Sequence, residues 1–236
     1  MRRKQEASMS RDFQKLAKSG LMDKGKLARL QQARTAAWQQ ALALSDAHTQ
    51  ARAALSQRLK VMEFAARSIA GFFPTPATLA TEMVNRAYVT AGMRVLEPSA
   101  GAGHIATAAR DAGASVKCVE LNYDLYHFLL AQGFDVEQAD FLWWYADRQY
   151  DAVLMNPPFD DGKDALHTMK AFQLLRRGGM LVGVVSEGLA FRADAGAQKF
   201  RAFVEAHGEW EPLPERTFMA SERPTAVKAR LVQLWK

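Results

Sequence analysis

The stretch that most constrains the fold is Tyr150-Asp151-Ala152-Val153-Leu154-Met155-Asn156-Pro157-Pro158-Phe159. Ala152 to Met155 are consecutive apolar residues rather than alternating ones, the pattern of a strand buried on both faces, as in a parallel sheet. Pro157 and Pro158 end it, because neither has an N–H for a sheet ladder. Each proline also biases the residue before it toward extended backbone. Asn156 is therefore predicted at the carboxyl end of a central strand, the edge where ligands bind in open α/β sheets.

A polar group held stiffly at that edge suits a particular chemistry. The exocyclic amine of adenine is a poor nucleophile, because its lone pair is delocalised into the ring. Two acceptors on its two hydrogens favour a tetrahedral nitrogen and localise the pair. The side-chain oxygen of Asn156 is one candidate acceptor and the Pro157 carbonyl the other. Phe159 is a candidate stacking platform for the base, worth roughly 1–3 kcal/mol by analogy with other base–aromatic stacks. The same ten residues also read as a strand closed by a Pro-Pro turn with a capping Asn, so the rest of the chain decides.

Upstream, residues 93–98 form a short predicted strand running into Ser99-Ala100-Gly101-Ala102-Gly103-His104. Gly101 and Gly103 permit a tight turn and close approach by a ligand. His104 opens a predicted helix whose amides face that ligand, and reads as a helix-start residue rather than a base. The third glycine of the dinucleotide fingerprint is missing, and Glu97 precedes the turn. A carboxylate there disfavours a pyrophosphate and favours an ammonium. Residues 116–120 are the next strand, and Glu120, about 20 residues beyond the glycine turn, is placed to accept both hydroxyls of a ribose. A third strand, residues 134–139, leads to Asp140 and Phe141, an acceptor for an adenine amine beside an apolar ring contact. Trp143 and Trp144 read as core or pocket wall.

The remaining elements follow from periodicity and breakers. Residues 76–88 read as a helix with Thr75 as N-cap and Pro76 at the first position. After Phe159 come a helix to about residue 176, a Gly178-Gly179 break, a strand at 180–185, a loop at 186–193 and a helix at 197–205. Two closing strands, 210–214 and 227–235, end the chain, with residues 218–225 between them near the active edge. Arg192, Arg216 and Arg223 are candidate phosphate contacts on these loops. Strand–turn–helix units across residues 93–185 make a doubly wound α/β sheet.

Residues 1–70 differ in character. They hold 14 Lys+Arg and 5 Asp+Glu, whereas residues 71–236 hold 17 and 20. A basic arm on a mildly acidic body points to a polyanionic partner. Residues 24–66 carry a thin, Ala-rich apolar stripe at helical spacing, as one long helix or a helical hairpin. Such a stripe fits packing on another surface or on a second copy, as in a homodimer. The change of composition at Gly71 divides a basic helical extension, 1–70, from a catalytic domain, 71–236. At 49% hydrophobic and 24% charged, the chain is that of a soluble globular protein. The single cysteine, Cys118, excludes an internal disulfide and a Cys-cluster zinc site and reads as an inert core thiol. No His/Asp/Glu cluster has metal-ligand spacing, so no metal is expected. No apolar run reaches about 18 residues, and the basic start lacks the apolar stretch of a signal peptide, which makes a cytoplasmic protein the expectation.

From Gly71 to Lys236 the chain resembles the class I S-adenosylmethionine-dependent amino-methyltransferases, most closely the N6-adenine DNA methyltransferases. Asn156-Pro157-Pro158-Phe159 matches that family's catalytic tetrapeptide, and Leu96-Glu97-Pro98-Ser99-Ala100-Gly101-Ala102-Gly103 its methyl-donor loop. Phe73-Pro74-Thr75-Pro76 resembles the segment that holds the methionine end of the donor. Glu120 falls where the family binds ribose, and Asp140-Phe141 where it binds the donor's adenine. The resemblance implies a Rossmann-like seven-stranded sheet with its last strand antiparallel, S-adenosylmethionine as cofactor, and duplex DNA with a flipped adenine as partner. Only 77 residues follow Phe159, too few for a large target-recognition domain. That implies a short or relaxed target sequence, as in small phage-type or orphan enzymes acting in a bacterial or phage-infected cell. RNA adenine, cytosine N4 and a protein glutamine amide are alternative substrates for the same tetrapeptide logic. A catalytically inactive nucleic-acid-binding subunit is the alternative outside enzymology.

Overall fold

The computed structural model describes residues 73–236 except 147, 148, 222 and 223, together with scattered positions between 29 and 50. The chain forms two compact units, Met1–Gln57 and Arg58–Lys236. In the first, every described residue is helical and exposed. The predicted apolar stripe of residues 24–66 and the predicted boundary at Gly71 otherwise lie outside the described residues.

The second unit is built on one seven-stranded sheet in the order β3-β2-β1-β4-β5-β7-β6. Its strands are β1 (Arg94–Pro98), β2 (Ser115–Glu120), β3 (Asp135–Gln138), β4 (Tyr150–Met155), β5 (Leu175–Ser186), β6 (Gly208–Pro212) and β7 (Ala229–Trp235). β1 to β5 pair in parallel, while β7 runs antiparallel to β5 and to β6. The order reverses between β1 and β4, which makes their carboxyl ends the topological switch point. The expected doubly wound sheet with its closing hairpin is therefore what the chain forms.

Among the described residues, five α-helices cover the sheet: α1 (Ala77–Arg86), α2 (His104–Asp111), α3 (Tyr123–Ala131), α4 (Lys163–Gln173) and α5 (Ala195–His207). The pleat sends neighbouring residues to opposite faces. Val95 and Leu154 join Leu79, Met83, Ile105 and Leu129 of α1, α2 and α3 in one core. Leu96, Val153 and Met155 join Ala171, Phe172 and Phe200 of α4 and α5 in the other. Both faces of β4 are covered, so Ala152 to Met155 are buried and apolar, as the sequence suggests.

Several details correct the sequence reading. Thr75 does not cap α1; Pro76 is the N-cap, and no side chain bonds there. The Gly178-Gly179 break lies inside β5 rather than before it, where the β4–β5 register shifts between Tyr150 and Ala152. Gly178, at φ 73°, turns the chain within that irregularity. Phe218 is 1% exposed and packs in the first core, so its segment is anchored rather than only an edge loop. Trp144 is buried as expected, but Trp143 is 78% exposed and is neither core nor wall. Arg192 is ion-paired with Asp194 at 2.7 Å, and Arg216 is exposed beside a short helical turn, while Arg223 lies outside the described residues.

Candidate functional site

A cavity of about 570 Å³ opens at the carboxyl ends of β1, β2, β3 and β4. It collects residues from separated stretches, among them Phe73 and Thr75, the Glu97–His104 turn, Glu120, Asp140 and Phe141, and Asn156 with its two prolines. Two predicted site residues stand outside its lining, Gly103 and Phe159. Gly103 acts through shape. Its φ is 76°, and a Cβ there would meet Leu129 Cδ2 at 2.6 Å, so only glycine lets α2 start this close to α3. Phe159 stacks against Phe73 with ring centroids 6.0 Å apart.

Asn156 is held in one orientation. Its Nδ2 donates to the Phe73 carbonyl at 2.9 Å and to Thr75 Oγ1 at 3.0 Å. A backbone carbonyl can only accept, so the group facing it must be the NH2 and not the oxygen. Oδ1 is thereby turned away from this clamp as an acceptor at the cavity. Thr75, read from the sequence as a helix cap, instead secures this amide.

The glycine turn is built by carboxylates. Glu97 is 2% exposed, and its Oε2 accepts from the Ala106 N–H in the first turn of α2 at 2.7 Å. It therefore satisfies a helix N-terminus and leaves Oε1 for the cavity. Glu120 accepts from Gly101 N–H at 2.7 Å and from Asn122 N–H at 2.8 Å, one bond to each oxygen. Each oxygen keeps a second lone pair. Burial pushes both carboxyls above their ordinary range, against the downward pull of these amides. Ser99 occupies a left-handed conformation at φ 64°, unusual for a residue with a Cβ. Its Oγ lies 3.2 Å from His167 Nδ1. Asp140 turns the chain after β3, its Oδ1 accepting from Leu142 N–H at 2.9 Å. Phe141 is buried beside Trp144 and His167.

The sequence reading missed two residues of α4. Asp164 is fully buried, accepts from Ser186 N–H at 2.8 Å, and ties the start of α4 to the end of β5. His167 lines the cavity. Nothing local marks either, because both partners lie far along the chain. Cys118 is fully buried and its thiol pushed up by that burial, as befits an inert core residue.

Residues 76–206, more than half of the chain, match the family model described as the methyltransferase small domain. The chain belongs to that family. It is a methyltransferase of the class I fold, and S-adenosylmethionine is its cofactor. The site suits such a donor in volume and chemistry. Its lining combines the carboxylates of Glu97, Glu120 and Asp140 with apolar residues such as Val119, Leu125 and Phe141, a mix that fits a ligand carrying an ammonium, a sugar and an aromatic base. Solved structures agree on the fold. A protein of Listeria monocytogenes provisionally assigned as a class I S-adenosylmethionine-dependent methyltransferase aligns at TM-score 0.61 and 15% identity, over 78% of this chain and 67% of that one. A provisionally assigned type I restriction enzyme modification subunit from Vibrio vulnificus aligns at 0.55 and 19%, over 72% and 46%. A provisionally assigned RNA methyltransferase from Pyrococcus horikoshii aligns at 0.53 and 21%, over 75% and 98%. No curated protein matches the sequence. Among the described residues, no helix is long and apolar enough to cross a membrane.

Proposed function

We propose that this methyltransferase acts on the N6 amine of adenine in DNA, at a short or relaxed target sequence. The observation that carries the reading is the clamp on Asn156. With Nδ2 spent on Phe73 and Thr75, Oδ1 is the atom left to accept from a substrate. Asn156 directly follows β4, and the carbonyl of Pro157, the next residue, is the second acceptor. The two oxygens accept the two hydrogens of the amine and draw its lone pair out of the ring. S-adenosylmethionine, when bound, supplies the electrophilic methyl group. Glu120 holds the ribose hydroxyls, Glu97 the ammonium, and Asp140 the adenine amine, with Phe141 against that ring. Phe73 and Phe159 form an aromatic wall beside the Asn156 amide, a surface on which a base can stack. A duplex substrate must have its adenine flipped to reach this depth. The basic residues 1–70 supply attraction to phosphates.

The test is transfer of tritium from labelled S-adenosylmethionine to unmethylated duplex DNA, and separately to total RNA and protein, with the modified product identified. N6-methyladenine in DNA is the expected result. Asn156→Ala should lower the rate by on the order of a hundredfold or more, the scale of losing one positioned polar group at a reacting centre. Label in RNA or protein instead would move the substrate. Donor binding with no transfer to any of them would favour a non-catalytic subunit.

A further inference from the structure

α4 brings a histidine into the cavity that the chemistry above leaves unused. His167 is 5% exposed. Its ring lies beside Phe141, with centroids 5.4 Å apart, and its Nδ1 is 3.2 Å from Ser99 Oγ. Among the described residues Nε2 has no hydrogen-bond partner, yet it is not one of the buried polar atoms sealed from solvent without one. It is therefore open to the cavity that His167 lines. A core histidine tethered to a serine accounts for Nδ1 and leaves Nε2 facing the cavity with no protein partner among the described residues.

The chemistry of the neighbours selects the kind of ligand atom. Among the described residues Nδ1 is the partner of Ser99 Oγ, and with the hydroxyl hydrogen given to Nδ1 the ring proton sits on Nε2. Burial holds the ring pKa down to about 4, so at neutral pH it carries a single N–H. Adenine has one exocyclic amine, and its other in-plane polar atoms are acceptors. With the amine on Asp140, a further in-plane partner has to be a donor.

We propose that His167, its tautomer set by the Ser99 hydroxyl, donates a hydrogen bond from Nε2 to a ring nitrogen of the methyl donor's adenine. This rests on reading Asp140 and Phe141 as the adenine end of the donor site. His167 is then a specificity residue for the donor base, supplied by the helix that follows the catalytic tetrapeptide.

The experiment is calorimetric binding of S-adenosylhomocysteine and its 1-deaza, 3-deaza and 7-deaza counterparts to the full chain. Wild type, His167→Phe and His167→Gln are compared, with melting curves to check folding. Phenylalanine keeps the ring against Phe141 without the donor, and glutamine keeps an N–H. Wild type should lose about tenfold in affinity for one of the three analogues. His167→Phe should bind that analogue and the parent equally, and His167→Gln should recover part of the discrimination. A wild type that binds all four ligands alike overturns the proposal even if no variant folds, as does equal discrimination by wild type and His167→Phe. Wild type that fails to bind S-adenosylhomocysteine, or Asp140→Ala with undiminished affinity for it, would instead overturn the donor-site reading and the inference with it.

Discussion

A single amide illustrates how this site is specified. Asn156 is useful as an acceptor only if its oxygen, not its nitrogen, faces the substrate, and the Phe73 carbonyl enforces that. Thr75 adds a second tie at 3.0 Å. Thr75→Val should remove that tie while preserving shape, and lower kcat about three- to tenfold with little change in donor affinity, measured by single-turnover transfer and calorimetry. His167 supplies a pH prediction. Burial lowers its pKa from 6.5 to about 4, so the unfolded chain takes up this proton first as the pH falls. Stability from this group is complete above about 6.5 and is lost as the pH drops toward 4, by up to about 3 kcal/mol. Glu97 and Glu120, raised by burial, pull in the opposite direction. The informative measurement is therefore the difference in urea unfolding between wild type and His167→Phe across this range, which should widen in favour of the variant as the pH falls.

At the level of elements, strand ends and helix starts are fastened to each other by carboxylates. Glu97 joins β1 to α2, Glu120 joins β2 to the glycine turn, and Asp164 joins α4 to β5. The glycine turn then tolerates little change. Gly103→Ala would force a Cβ-bearing residue into left-handed backbone and push against buried Leu129. A loss of about 2 kcal/mol in unfolding free energy is expected, with weakened S-adenosylhomocysteine binding. Most of these elements were legible beforehand. The apolar run of β4, the Gly-x-Gly turn and the spacing to Glu120 are local patterns. The start of β5 was not, because its pairing with β4 passes through an irregularity that periodicity cannot show.

For the whole molecule, the uneven charge matters most. Residues 1–70 carry the excess of Lys+Arg, while the sheet-bearing part is mildly acidic. If duplex DNA is the substrate, removal of residues 1–57 should weaken its binding and flatten the dependence of affinity on salt. S-adenosylhomocysteine binding should be unaltered. Fluorescence anisotropy at several salt concentrations reads the first effect and calorimetry the second. An unchanged salt slope would show that the arm does not touch phosphates.

Sequence alone determined the doubly wound sheet, the closing hairpin, and which motifs lie at strand ends. These depend on periodicities and breakers acting over a few residues, and backbone hydrogen bonding translates them directly into strands and helices. The tertiary structure decided the orientation of Asn156, the true role of Thr75, the exposure of Trp143 and the place of His167. The Asn156–Phe73 bond spans 83 residues and the Ser99–His167 contact spans 68. Such partners meet because β1 and β4 are neighbours in the sheet and α4 folds back over them. A side chain's last few ångströms are set by that packing, which no local pattern encodes.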